Sequence, residues 1–94
     1  MVKEISAHEA KKLLQDKNIV VIDVRSLEEW EEQHLPKAIL VSNEDDFKEK
    51  ILPLDKEKQY VLFCRSGHRS HYVAEMMEDL GFEKVVNVKG DVFG

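Results

Sequence analysis

The 94-residue chain holds one cysteine, one tryptophan, two prolines and four glycines. A single cysteine excludes an internal disulfide, a Cys-x-x-Cys redox pair and a cysteine-based zinc set. The four histidines, His8, His34, His68 and His71, show no metal-ligand spacing. His68 and His71 stand three apart, but no third ligand accompanies them, so neither a metal nor another cofactor is expected. Apolar runs such as Ile19-Val20-Val21-Ile22 fall far below the ~20 residues that span a bilayer. Residues 1–20 contain neither a signal-peptide core nor an Arg-rich presequence, so no membrane association and a cytoplasmic location are expected. Basic charge is scarce as well. With 19 acidic and 14 basic residues the net charge is −5, which argues against nucleic-acid binding, where a basic stripe supplies most of the affinity.

What is present suits a small globular domain: 43% hydrophobic and 35% charged residues, in a length typical of one unit. Residues 1–94 show no repeat, low-complexity tract or linker, so one domain is expected throughout. Val2–Ile5 reads as a short strand. Ser6 with Glu9 forms a capping box, and Ala7, Ala10, Leu13 and Leu14 share one helical face. Ile19–Val24 is β-branched and apolar on both faces, as a buried parallel strand should be. Ser26 and Glu29 repeat the capping box before a short helix ending near Gln33. Ala38–Ser42 reads as a third strand, Glu44–Ile51 as an acidic helix capped by Asn43, and Tyr60–Phe63 as a fourth strand. Ser70–Leu80 is the clearest helix, with Tyr72 or Val73, Met76, Met77 and Leu80 on its apolar stripe and Gly81 just past its end. Val85–Val88 is the last strand. Strands alternating with helices predict an α/β fold: a doubly wound, mostly parallel five-stranded sheet with helices on both faces.

The single thiol, Cys64, follows the fourth strand directly and precedes a short loop and the clearest helix. In parallel α/β sheets ligands bind at this place, beyond the carboxyl ends of the strands. Successive N–H groups of such a loop can converge on an anion, and the following helix start adds partial positive charge. Gly67 allows backbone torsions that other residues resist. The chain's basic cluster, Arg65, His68, Arg69 and His71, lies beside the same thiol. A free thiol with a pKa near 8.5 is mostly protonated at neutral pH, and these features can lower it. Cys64 is therefore a candidate nucleophile in a loop able to stabilise an anion built on it, a persulfide being one such anion.

Three motifs carry a family resemblance over almost the whole chain. Asp23-Val24-Arg25 followed by Glu28-Glu29-Trp30, the turn His34-Leu35-Pro36-Lys37-Ala38, and the loop Cys64-Arg65-Ser66-Gly67-His68-Arg69-Ser70 occur in the order seen in rhodanese-like sulfurtransferases. Gly81-Phe82 and Val85–Gly90 resemble that family's C-terminal segment. The resemblance implies a sheet ordered 1-5-4-2-3 and transfer of sulfane sulfur from thiosulfate or a persulfide donor to a thiophilic acceptor, through a persulfide on Cys64. A small sulfur anion, and a protein donor or acceptor, are the partners it implies. From Cys64 to Arg69 is six residues, Cys-x4-Arg, which resembles the sulfurtransferase branch. The phosphatases and arsenate reductases of this fold carry one residue more. Lys37 stands where the family has Gly, Gly90-Asp91 replaces Gly-Gly, and the chain stops at Gly94, before the last helix of many members, so a more open substrate rim is expected.

Around Cys64, the loop residues Arg65, Ser66, Gly67, His68 and Arg69 are the expected substrate-binding set. Arg69 is the loop organiser, matching the family's Arg, while Arg65 and His68 face solvent. Asp23, Arg25 and Ser70 are supporting residues, with Arg25 expected to pair with Glu28 or Glu29. Trp30 is expected in the core, His34 in a hydrogen-bonded turn, and His71 in solvent.

Overall fold

A computed structural model of the chain describes residues 1–93. Five strands, β1 (Lys3–Ser6), β2 (Ile19–Asp23), β3 (Ile39–Leu40), β4 (Gln59–Phe63) and β5 (Lys84–Lys89), form one sheet. Every pairing in it is parallel and the order is β1-β5-β4-β2-β3, as the resemblance implied. The helices are α1 (Ala7–Leu13), α2 (Leu27–Glu32), α3 (Glu44–Asp46) and α4 (His68–Asp79). Both capping boxes form. Ser6 and Ser26 each accept from the backbone N–H three residues on, and Glu9 and Glu29 return a carboxylate oxygen to the cap N–H.

β4 lies at the centre, and side chains alternate across a strand, so its residues divide between two cores. Tyr60, Leu62 and Cys64 pack with Phe47, Ile51, Val73, Ala74 and Met77 on the face covered by α4 and by the segment 47–51 that follows α3. Val61 and Phe63 pack with Ile5, Ala10, Val86 and Val88 on the α1 face. That parity decides where the thiol goes. Cys64 shares the face of Tyr60 and Leu62, so its sulfur points under the start of α4.

Three elements differ from the sequence reading. The third strand shrinks to Ile39–Leu40, because Ser42 and Asn43 spend their polar groups on Asp46 and the start of α3. The acidic helix keeps three α residues and then widens into a π-type turn over Phe47–Ile51, which buries both Phe47 and Ile51. On α4 the buried face is Ser70, Val73, Ala74 and Met77, spaced as one helical stripe, leaving Tyr72 and Leu80 exposed.

The turn at Leu35–Ala38 closes with the Ala38 N–H donating to Leu35 O at 3.3 Å, with Pro36 and then Lys37 at its centre. Lys37 has φ 66°, the left-handed value that a type II turn demands of its third residue. Lysine thus holds the geometry that glycine adopts freely. Left-handed backbone costs a side-chain-bearing residue about 1–3 kcal/mol, and glycine returns part of that as unfolded-state entropy. Lys37→Gly should therefore stabilise the fold by roughly 0.5–1 kcal/mol and raise the melting temperature by a few degrees. A thermal melt checks this, and a lower melting temperature would contradict it.

Candidate functional site

Cys64 follows the last residue of β4 and is fully buried, as are Asp23 and Ser70. Its Sγ accepts three hydrogen bonds: from the Gly67 N–H at 3.1 Å, the Ser70 N–H at 3.4 Å and the Ser70 hydroxyl at 3.3 Å. The chain can turn back on the sulfur so quickly because Gly67 has φ 95°. A Cβ there would sit 3.0 Å from Val88 O, so glycine is required on two grounds. Burial pushes the thiol pKa up, but the Ser70 hydroxyl and the N–H groups of Ser70, Gly67 and Ser66 outweigh it and hold the pKa below its ordinary value. The loop is therefore built to favour a sulfur anion.

The loop's charged side chains point outward. Arg65, His68 and Arg69 are exposed, and the Ser66 hydroxyl lies 3.2 Å from His68 Nδ1. Arg69 donates to both carboxylate oxygens of Glu29, at 2.9 and 3.3 Å, and Arg65 lies 3.8 Å from the same group. Glu29 thus ties the loop to α2 while closing its own capping box. Arg69 beside it, together with the Ser26 N–H, holds the Glu29 carboxyl down at about 2.

Arg25 pairs with Asp23, not with Glu28 or Glu29. Its Nε and Nη2 reach the two Asp23 oxygens at 2.7 Å each, and Nη2 also donates to Gln33 O at 2.6 Å. Glu29 is taken by the loop arginines, which leaves Asp23, two residues back and on the same side of the extended chain, as the natural partner. The Arg25 guanidinium also lies 4.8 Å from the centre of the Phe93 ring. This pair ties the end of β2 to the end of α2. A cleft of about 270 Å³ opens beside it, lined by Arg25, Glu29, Glu32, Arg65, Asp91 and Phe93.

Trp30 is half-buried and stacks on His34, with ring centres 3.9 Å apart, rather than entering either core. The short α2 lies outside both cores, so the ring finds its partner on the adjoining turn. His34 Nδ1 donates to Trp30 O at 2.8 Å. His71 is not simply solvated: its Nδ1 lies 3.3 Å from Glu4 and its Nε2 3.6 Å from Glu75. Among the described residues no group of three His, Cys, Asp or Glu side chains could hold a metal ion, and no helix is long and apolar enough to cross a membrane.

Two contacts went unread in the sequence. The sequence offers Glu28 or Glu29 to Arg25, yet Glu29 reaches Arg69 and Arg65 instead, 40 and 36 residues further along the chain. Asn87, a lone amide within Val85-Val86-Asn87-Val88, is fully buried and donates from Nδ2 to Gly67 O at 3.0 Å. An isolated polar residue in an apolar buried strand was the signal available.

The model for the rhodanese-like domain matches residues 6–94. The chain belongs to the rhodanese-like family. Within the family it is 42% identical over 90 residues to the Bacillus subtilis protein YtwF, provisionally named a sulfurtransferase, covering 95% of this chain and 85% of YtwF. It is 35% identical over 92 residues to the thiosulfate sulfurtransferase GlpE of Coxiella burnetii, covering 96% and 83% of the two chains. The crystal structure of a rhodanese-like domain protein from Staphylococcus aureus superposes with a TM-score of 0.81 at 33% identity, over 98% of this chain and 89% of that one.

Glu29 makes a pH-dependent contribution whose sign is fixed by its low folded value. A carboxyl held at about 2 against an ordinary 4.5 stabilises the folded state above pH 4.5 and loses that contribution as pH falls toward 2. Glu29→Gln keeps a side chain fit for the capping box but removes the charge facing Arg69 and Arg65. The variant should melt below wild type near pH 6, and the gap should close between about pH 4.5 and 2. Melting curves across that range check it; a gap that does not change with pH would contradict the pairing.

Proposed function

We propose that the chain is a sulfurtransferase that carries sulfane sulfur on Cys64, taking it from thiosulfate or a persulfide donor and passing it to a thiophilic acceptor. The observation that carries this reading is the convergence of the Gly67 N–H, the Ser70 N–H and the Ser70 hydroxyl on Cys64 Sγ. Those donors favour the thiolate, which is the nucleophile the chemistry requires. The Cys64 thiolate attacks the terminal sulfur of thiosulfate, the sulfur–sulfur bond breaks, and sulfite leaves with the electron pair. A Cys64 persulfide anion remains. An acceptor anion such as cyanide or a thiolate then attacks the outer sulfur, and the Cys64 thiolate leaves and is restored.

Each step brings two anions together, so partial positive charge at the sulfur lowers the barrier. The loop donors supply it at the sulfur itself. Arg65 and His68, exposed on the rim, suit the approach of a small sulfur anion or of a protein donor or acceptor. Arg69 acts through Glu29 as the loop's anchor, and Asp23 with Arg25 supports the neighbouring strand end. The six-residue span from Cys64 to Arg69 and the enclosed Sγ fit a single terminal sulfur better than the tetrahedral oxyanion of a phosphatase or arsenate reductase. Residues 1–94 work as one rhodanese-like unit in this reading, without metal or cofactor. A cytoplasmic setting, where thiols stay reduced, suits a carrier of this kind. Neither nucleic acid nor membrane has a part in it.

Intact mass after thiosulfate treatment tests the proposal. Wild type should gain the mass of one sulfur atom and Cys64→Ala should gain nothing. Cys64→Ser should fold normally yet lose thiosulfate–cyanide turnover by roughly a hundredfold or more, because a hydroxyl supplies no anionic nucleophile at neutral pH. Turnover surviving in the Ser variant, or no sulfur taken up by wild type, would overturn it.

A further inference from the structure

Asn87 is an expensive residue for its position. It occupies the middle of β5, opposite Leu62 of β4 and Glu4 of β1, and is fully buried. Its neighbours Val86 and Val88 are the β-branched apolar residues that a buried parallel strand favours. By alternation Asn87 shares the face of Val85, which packs in the core beneath α4. Half of its amide is unsatisfied there: Oδ1 is the buried side-chain oxygen or nitrogen without a hydrogen-bond partner among the described residues. A polar atom buried in this way costs free energy that a valine would not incur.

The satisfied half of the amide points at the thiol loop. Nδ2 donates to Gly67 O at 3.0 Å, and the same oxygen accepts the His71 N–H at 3.1 Å, the first turn of α4. Two donors on one carbonyl fix the peptide that follows Gly67. Gly67 has no Cβ to hold its left-handed torsion, and it is the residue whose own N–H reaches Cys64 Sγ at 3.1 Å. The His71 N–H fastens the carbonyl to α4 alone, whereas Asn87 fastens it to the sheet from which Cys64 also projects. We propose that Asn87 is a positioning residue: it anchors Gly67 to β5 so that the Gly67 N–H stays aimed at the sulfur. The proposal rests on Cys64 being the sulfur carrier, and places the residue that tunes that thiol outside the loop, 20 residues from Gly67 in the chain.

Asn87→Val and Asn87→Ala, each compared with wild type, test it through three readouts: melting temperature, iodoacetamide alkylation rate against pH, and the rate of sulfur loading from thiosulfate. Asn87→Val removes the tether and the unsatisfied oxygen together, so its melting temperature should lie within a few degrees of wild type or above it. Its alkylation midpoint should rise by roughly half a pH unit or more, and sulfur loading at neutral pH should fall about tenfold or more. Asn87→Ala, which adds no bulk to the core, should show the same rise in midpoint when read well below its own melting temperature. An unchanged midpoint in either folded variant would overturn the proposal, and so would failure of both variants to fold, which would make the amide structural. Wild type that never loads sulfur would refute the proposed function instead, while the alkylation midpoints would still report on the tether.

Discussion

Three donors meet on one sulfur atom because the chain after β4 reverses at a single left-handed glycine. Gly67, at φ 95°, lets the loop fold back within three residues and start α4 directly over the cysteine. Everything else in the molecule serves that closure. The parity of β4 turns Cys64 toward the α4 face, the parallel order β5-β4-β2 brings three strand ends to one rim, and α4 lays Ser70 against the sulfur. The donors are short and fixed by backbone, so they lose little on reorganisation when charge develops on the sulfur. The exposed arginines, Arg65 next to the cysteine and Arg69 five residues on, contribute less, since water screens them.

Holding such a loop requires ties to elements far away in sequence, and the structure has one on each side. Glu29 grips Arg69 and Arg65 from α2, and Asn87 grips the Gly67 carbonyl from β5. A third tie, the buried Asp23–Arg25 pair, fixes the end of β2 and the carbonyl that ends α2, and so steadies the platform from which Glu29 reaches across. The two carboxylates do different work. Asp23 sits in full burial and is matched by two 2.7 Å bonds to Arg25, whereas Glu29 lies nearer to solvent and faces both loop arginines.

The parts legible in the sequence were those written in neighbouring residues. Ser6 with Glu9 and Ser26 with Glu29 announced two helix starts, the β-branched run from Ile19 announced β2, and a cysteine between an apolar strand and a glycine-bearing loop announced the tight turn from β4 into α4. The type II turn at Pro36-Lys37 survived the loss of its glycine, because a lysine can be held left-handed when the flanking structure demands it. Less legible were contacts whose partners lie 40 and 20 residues apart, Arg69 with Glu29 and Asn87 with Gly67. Charge alone did not say which glutamate met which arginine, and a lone asparagine in a strand did not say what it held. Ser70 and the loop backbone, which touch the sulfur, outweigh the basic residues as activators of Cys64, and of those residues Arg69 adds its charge at the sulfur.

Salt separates the two contributions. Backbone and hydroxyl donors within a buried loop are barely screened, whereas exposed side-chain charges are screened within about a Debye length, ~10 Å at 0.1 M. The direct measurement is the alkylation rate of Cys64 against pH at low salt and at about 1 M salt. A midpoint below the ~8.5 of a free thiol, hardly moving between the two conditions, is the expected result. A midpoint at or above that of a free thiol, or one that climbs back to it in high salt, would contradict the account.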